Sequence, residues 1–308
     1  MKKHARMKKL LSVIGCMMAL SASAQPASAQ IDSAQLMKDV QTLSADKMEG
    51  RKTGTKGNRM AQFYLLDRLK ETGLEQFYNT YQQSFFFNSR GSRIMGTNLY
   101  GYIKGEVDSF IVISAHYDHV GTKAQPSGGD SIYNGADDNA SGVAGLLAIA
   151  KYFKAHPPRY SLIFAAFDAE EMGLQGAKDF SARLPVPAAS MLMNINMDMI
   201  SHNDKRELYV CGTYHYPQLK PYITAAAAKS AILLPMGHDK PEDAGQDWTG
   251  QSDHHVFHLR KIPFLYFGVE DHPDYHKVTD EFSRINPSFF YQAVLSILDV
   301  VKAVNERP

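Results

Sequence analysis

The sequence predicts an α/β fold, a single domain with a mostly parallel, mixed central sheet flanked by helices on both faces. Three observations carry the prediction. Short unbroken apolar runs, over residues 110–115 and 160–167, read as strands buried on both sides. Helical stretches alternate with these runs along the chain. No internal repeat, low-complexity linker or break in composition divides it.

The elements follow in order. A short helix is expected over residues 34–43, then a polar turn region over 44–54. Met60, Phe63, Leu66 and Leu69 recur at helical spacing until Gly73, the expected stop. Strands are expected near 80–87 and 98–103. From there the buried strand 110–115 leads to an Ala- and Leu-rich helix over 142–153. The buried strand 160–167 precedes a short helical stretch after Glu170. Residues 191–200 read as a strand, 219–229 as a helix, 262–267 as a strand and 287–304 as a closing amphipathic helix. Sheets of this kind bind ligands beyond the carboxyl ends of their strands, so functional residues should follow the strands directly.

Composition narrows the function. The chain of 308 residues is 44% hydrophobic and 21% charged, ordinary for a globular protein. Its first 29 residues hold Lys2, Lys3, Arg6, Lys8 and Lys9 and no acid. Without them 28 basic and 32 acidic side chains remain, a net charge of −4. Such a chain has no electrostatic footprint for nucleic acid or anionic membranes.

The N-terminal basic stretch precedes an apolar run over residues 10–20 and small-residue cleavage sites ending at Ala24 and Ala29. This is the pattern of a secretory signal peptide over residues 1–29, and it predicts export to a periplasmic or extracellular location. The run is shorter than the roughly 20 residues that span a bilayer, and no later segment is expected to span one. Val13-Ile14-Gly15-Cys16 also resembles a lipoprotein processing box, although the apolar run continues past Cys16. After cleavage at Ala24 or Ala29 only Cys211 remains, so no intramolecular disulfide can form.

Five clusters of histidine and carboxylate sit where the strand-end rule places them. His116-Tyr-Asp118-His119 follows 110–115, and Asn134-Gly-Ala-Asp137-Asp138-Asn-Ala-Ser-Gly142 opens the next helix. Asp168-Ala-Glu170-Glu171 follows 160–167, Asn196-Met-Asp198 lies in 191–200, and His276 follows 262–267. Each has an ordinary explanation on its own: a core histidine, an N-capping Asp, or a helix start that complements the dipole. Together they do not, because several carboxylates at one apolar sheet edge require a cation. No Lys or Arg lies inside the four acidic clusters between His116 and Asp198. Carboxylate and imidazole donors suit zinc, and the number of carboxylates points to two ions sharing one of them and a bridging water. Glu170 and Glu171 would then divide two tasks, one as general base and one as ligand.

The motifs resemble the M28 peptidases, zinc aminopeptidases of the bacterial leucyl aminopeptidase type. The resemblance rests on Gly50-Arg51-x-Thr53-Gly54, HYDH at 116–119, GADDNASG at 135–142 and FDAEEMGLQGA at 167–177. NMDMI at 196–200, SDHHVF at 252–257 and YHKVTD at 275–280 complete it. It implies a peptidase domain over residues 30–308 that hydrolyses peptides with a free N-terminus. It further implies two zinc ions bridged by Asp137, one completed by Glu171 and His276 and the other by His116 and Asp198. Glu170 would be the general base, and Asp118 would hydrogen-bond and orient the His116 ring. A cis peptide between Asp137 and Asp138 is implied as well.

One position departs from the pattern. A Tyr that helps hold the oxyanion in the resembled type is Thr249 here. Trp248, residues 252–255 and Phe257 are candidates to line the pocket. Competing readings on the same scaffold are a carboxypeptidase or dipeptidase, and a glutaminyl cyclase-like acyltransferase. The first needs clustered Arg, and the second typically has Trp where this chain has Tyr275. A metal-free binding module should lack a ligand, and none of the key positions is missing. The preferred N-terminal residue and the number of subunits are not encoded legibly.

Overall fold

The computed structural model describes residues 31–123 and 129–306. The expected signal peptide and Cys16 lie outside the described residues. Seven strands form one mixed sheet in the order β1-β2-β4-β3-β5-β7-β6. They are β1 (Gln82–Ser89), β2 (Ser92–Ile103), β3 (Val107–His116), β4 (Tyr160–Phe167), β5 (Met191–Met197), β6 (Tyr209–Cys211) and β7 (Phe264–Gly268). The four central strands β4, β3, β5 and β7 are mutually parallel, and β1, β2 and β6 add antiparallel edges. The predicted fold class is therefore the observed one.

Alternation along the central strands explains the two layers. Ile111, Ile113 and Ala115 of β3, with Leu162, Phe164 and Ala166 of β4, enter one core. Helices α1 (Ser33–Leu43), α2 (Lys56–Thr72), α3 (Gly142–Ala155), α5 (Lys220–Ala227) and α7 (Pro287–Asn305) cover it. The intervening Phe110, Val112, Ile163, Ala165 and Phe167 face a smaller core closed by α4 (Gln175–Ala182) and α6 (His254–Leu259). Both faces being covered, the strands read as continuous apolar runs rather than alternating ones. Helix α7 is long and apolar enough to cross a bilayer by length and composition. Here Phe290, Val294, Ile297 and Val301 are wholly buried in the larger core.

Local signals behave as their chemistry predicts. The Thr55 side chain accepts the Asn58 N–H at the start of α2, and Gly73 ends that helix in the left-handed region at φ 74°. Arg90 and Gly91, with φ of 49° and 80°, turn the β1–β2 hairpin in two residues. Two expectations shift. The helix after Glu170 starts only at Gln175, because Ala169, Gly173 and Leu174 adopt positive φ and hold the stretch as a loop. Strand β5 ends at Met197 instead of running to 200, and Met199 reverses the chain at φ 57°. Short β6 and α6 were not expected, being too brief to show a period.

Candidate metal centre

The carboxyl ends of the four parallel strands bring the clusters together. His116 is the last residue of β3, Asp168–Glu171 follows β4, Asp198 follows β5 and His276 follows β7. Residues Asp137 and Asp138 reach the same edge from the segment before α3.

Asp138 occupies the middle. Its Oδ1 stands 3.4 Å from His116 Nε2, and its Oδ2 stands 3.0 Å from His276 Nε2 and 3.6 Å from His119 Nδ1. His116 Nε2 is also 3.2 Å from Asp198 Oδ1. Glu171 Oε1 lies 3.2 Å from His276 Nε2 and 2.8 Å from His119 Nδ1. Two groups of donors result, His116, Asp138 and Asp198, and His119, Asp138, Glu171 and His276.

This overturns one expectation. Asp137 does not face His116, His119 or His276. Its Oδ1 accepts the backbone N–H of Ser201 at 2.6 Å and the Ser201 hydroxyl at 2.7 Å, while Oδ2 pairs with His272 Nε2 at 3.0 Å. Of the two aspartates the second turns to His116 and His276, and the first is held by Ser201 and His272. The cis peptide likewise lies between Asp138 and Asn139, one bond later than the resemblance implied. Asn139 takes the capping task, its Oδ1 accepting the Gly142 N–H at 2.9 Å at the start of α3.

Asp118 also acts differently from the expected contact. The His116 ring is oriented by the main-chain oxygen of Asp118, 3.1 Å from Nδ1, whereas the nearest carboxylate oxygen is 3.7 Å away. The carboxylate instead accepts the backbone N–H groups of Glu170 at 3.0 Å and Glu171 at 3.4 Å. It thereby aims both glutamates. Glu171 turns to the histidines, and Glu170 lines the cavity without joining either donor group.

Electrostatics separate the carboxylates. Burial alone would raise the Asp138 pKa, but His119, His116 and His276 hold it well below the usual range. Glu171 is lowered against its own burial by its bonds to His119 and His276. Burial pushes Glu170 well above the usual range; Asp198, Asp253 and Glu171 push it further, while His116 opposes them. His276 is raised to about 10 by its bonds to Asp138 and Glu171. The acids around it also raise His116 well above the usual imidazole range against its own burial. A divalent metal would displace the imidazole protons, which is how imidazole and carboxylate sites couple metal binding to proton release.

The donor set fits zinc. Zinc–ligand bonds of about 2.0–2.2 Å at tetrahedral angles place neighbouring donors about 3.3–3.6 Å apart. The cross-donor distances run from 2.8 to 3.6 Å, two of the six within that spacing and four slightly below it, so the donors stand close enough to share an ion.

Two features escaped sequence reasoning. His119 belongs to the quoted HYDH motif but carried no assigned role. Arg51, also in a quoted motif, is wholly buried and donates to the main-chain oxygens of Leu43, Tyr117, Asn134 and Gly135. It fastens three loops behind the site, and burial lowers its pKa to about 10. The preceding Gly50 is obligatory, since a Cβ there would come within 2.3 Å of Gly121 O. Their signal was present only as sequence motif, because hydrogen bonds to main-chain oxygens leave no compositional trace.

The cavity over the centre is lined by Glu170, Trp248, Gln251, Tyr266, Asp271 and Tyr275, among others. Of the expected pocket residues only Trp248 lines it. Thr249 pairs through its hydroxyl with His215 at 3.0 Å and does not line it. Tyr266 and Tyr275 are the hydroxyl-bearing side chains that do. Cys211 is a buried free thiol in β6.

A covered parallel sheet with histidines and carboxylates gathered at its strand ends defines a candidate metal site. Residues 98–301 match the model of peptidase family M28, and the chain belongs to that family. It is 26% identical over 220 residues to aminopeptidase YwaD of Bacillus subtilis, covering 68% of this chain and 43% of that protein. The chain spans about half or less of the length of the curated relatives it matches. Its fold is shared with a leucine aminopeptidase precursor from Bacteroides thetaiotaomicron, at a TM-score of 0.72, 19% identity and coverage of 91% of this chain and 99% of that one. The same figures hold for a glutaminyl cyclase from that organism.

Proposed function

We propose that this chain is a two-zinc aminopeptidase that removes N-terminal residues from peptides. The observation that carries the reading is the division of the Asp138 carboxylate, one oxygen toward His116 and the other toward His276. A single ion would not need both oxygens directed at separate imidazoles. His116 and Asp198 would complete one position, and Glu171 and His276 the other, with Asp138 replacing Asp137 as the bridge.

Bound zinc would polarise the scissile carbonyl and render a water acidic. Glu170 takes the proton of the attacking water and returns it to the leaving amine nitrogen. A carboxyl raised by burial suits both halves of that task near neutral pH. Tyr266 and Tyr275 offer hydroxyl donors to the oxygen on which charge develops. Asp271, a cavity carboxylate outside both donor groups, pairs with the α-ammonium of the substrate. Export is part of the same proposal, on the basic, apolar and small-residue order of residues 1–29. The mass of the mature N-terminus after expression tests it.

A panel of aminoacyl chromogenic substrates, assayed with and without chelator, tests the activity. Hydrolysis of free-amine substrates that chelator abolishes and zinc restores is expected. Equal cleavage of N-acetylated controls, or cyclisation of N-terminal Gln without hydrolysis, would overturn the reading.

A further inference from the structure

We propose that His119 is a fourth protein donor to the metal position formed by Asp138, Glu171 and His276, so that the two positions differ in affinity and empty in order. The inference rests on the two-metal reading above and adds a ligand to it.

His119 Nδ1 lies 2.8 Å from Glu171 Oε1 and 3.6 Å from Asp138 Oδ2, on the side where His276 Nε2 approaches the same two oxygens at 3.2 and 3.0 Å. All four donor atoms fall within 4.8 Å of one another. The two imidazoles meet edge to face at 5.6 Å between ring centres, which leaves both nitrogens free to converge. The His119 side chain is entirely buried, and its Nε2 has no hydrogen-bond partner. The ring's polar engagement is therefore all through Nδ1. Backbone is built closely against the opposite edge. A Cβ on Gly135 would come within 2.5 Å of His119 Cδ2, and Gly135 itself holds φ 57°. The ring is thus held in place by packing rather than drawn in by chance.

The consequence is asymmetry. Four protein donors close a tetrahedral zinc position, as in structural sites, whereas three donors leave a position for water or substrate. The His116, Asp138 and Asp198 group has three donors; both groups border the cavity that Glu170 lines, so the difference between them is the donor count. That position should exchange its metal readily, and the His119 position should retain it.

Zinc and cobalt titrations of the metal-free protein against a chromophoric chelator test this. The unmutated protein should bind two equivalents in two separated phases. His119→Ala should weaken the tighter phase at least about 100-fold, since even residues that only support a ligand cost 10–100-fold when changed. It should also lower the intense visible absorption of four-coordinate cobalt. His119→Asn keeps an N–H near Nδ1 for Glu171 but is a poor zinc ligand, so it should be as defective as Ala. Recovery of both phases by Asn would reduce His119 to a positioning residue and overturn the proposal. Two equivalents at unchanged affinity in His119→Ala would do the same. One equivalent in the unmutated protein would instead remove the two-metal reading itself. X-ray absorption on the unmutated zinc protein needs no folded variant. Three imidazoles per two metals are expected, and two would overturn the ligand assignment.

Discussion

The carboxylate of Asp280 accepts the backbone N–H of Asp138 at 3.0 Å through Oδ2, while its Oδ1 takes the N–H of Asp137 at 2.9 Å. A buried acid from the last motif of the chain thus clamps the segment that carries the central carboxylate. Asp280→Ala would strand two buried N–H groups, each costing about 1–3 kcal/mol, and free Asp138 to turn. Lower thermal stability together with reduced zinc content is expected, measurable by calorimetry and metal analysis. Asp280→Asn keeps one acceptor and should show a smaller loss on both counts. Unchanged zinc content in Asp280→Ala would separate the clamp from the metal site.

Asp137 and Asp138 differ in what they hold, so their variants should fail differently. Asp138→Asn should remove most bound metal, because its carboxylate is shared by both candidate donor groups. Asp137→Asn should keep its metal and lose stability instead, as the bonds to Ser201 and His272 weaken. Metal analysis of the two purified variants decides between them, and equal depletion in both would contradict the assignment.

Glu170→Gln should retain metal and fold while kcat falls by about 10²–10⁴, the usual contribution of a general acid–base group. Parallel loss of zinc would move Glu170 into the ligand set.

If Asp271 pairs with the substrate ammonium as proposed, Asp271→Asn should raise KM for free-amine substrates with kcat little altered, since that contact would act before and during reaction alike. A fall in kcat at constant KM would place Asp271 in the chemistry instead.

How much of this was legible depends on the physics behind each signal. Long apolar strands and the Gly73 helix stop were readable because periodicity and left-handed backbone leave marks in sequence. The strand-end rule gathered His116, Glu171, Asp198 and His276 without any coordinates. Between Asp137 and Asp138 composition could not choose. The choice is made by Asp280, which holds both backbone N–H groups, and by Ser201, which takes the Asp137 carboxylate, partners more than 60 residues away. His119 was hidden for a related reason: a histidine three places past a strand end points either way until Gly135 packs against it.

His254 gives the last prediction, one of stability against pH. It opens α6 fully buried, its Nε2–H donating to Trp248 O at 2.9 Å, while Nδ1 has no hydrogen-bond partner. Burial pushes its pKa down to about 3, against about 6.5 for an exposed imidazole. Because the folded value is the lower one, the unfolded chain takes up the proton first as pH falls. The contribution of His254 is therefore present above pH about 6.5 and is lost between there and about 3, at roughly 1.4 kcal/mol per pH unit. His254→Gln keeps a donor for Trp248 O and cannot titrate in this range. Its unfolding free energy in urea should fall less steeply between pH 6 and pH 4, by close to one proton's worth of slope. The metal ligands and Asp253 titrate in both proteins, so the difference between the two curves isolates this ring. Parallel curves would mean that His254 is charged in the folded state already, and that the carbonyl of Trp248 suffices to hold the charge.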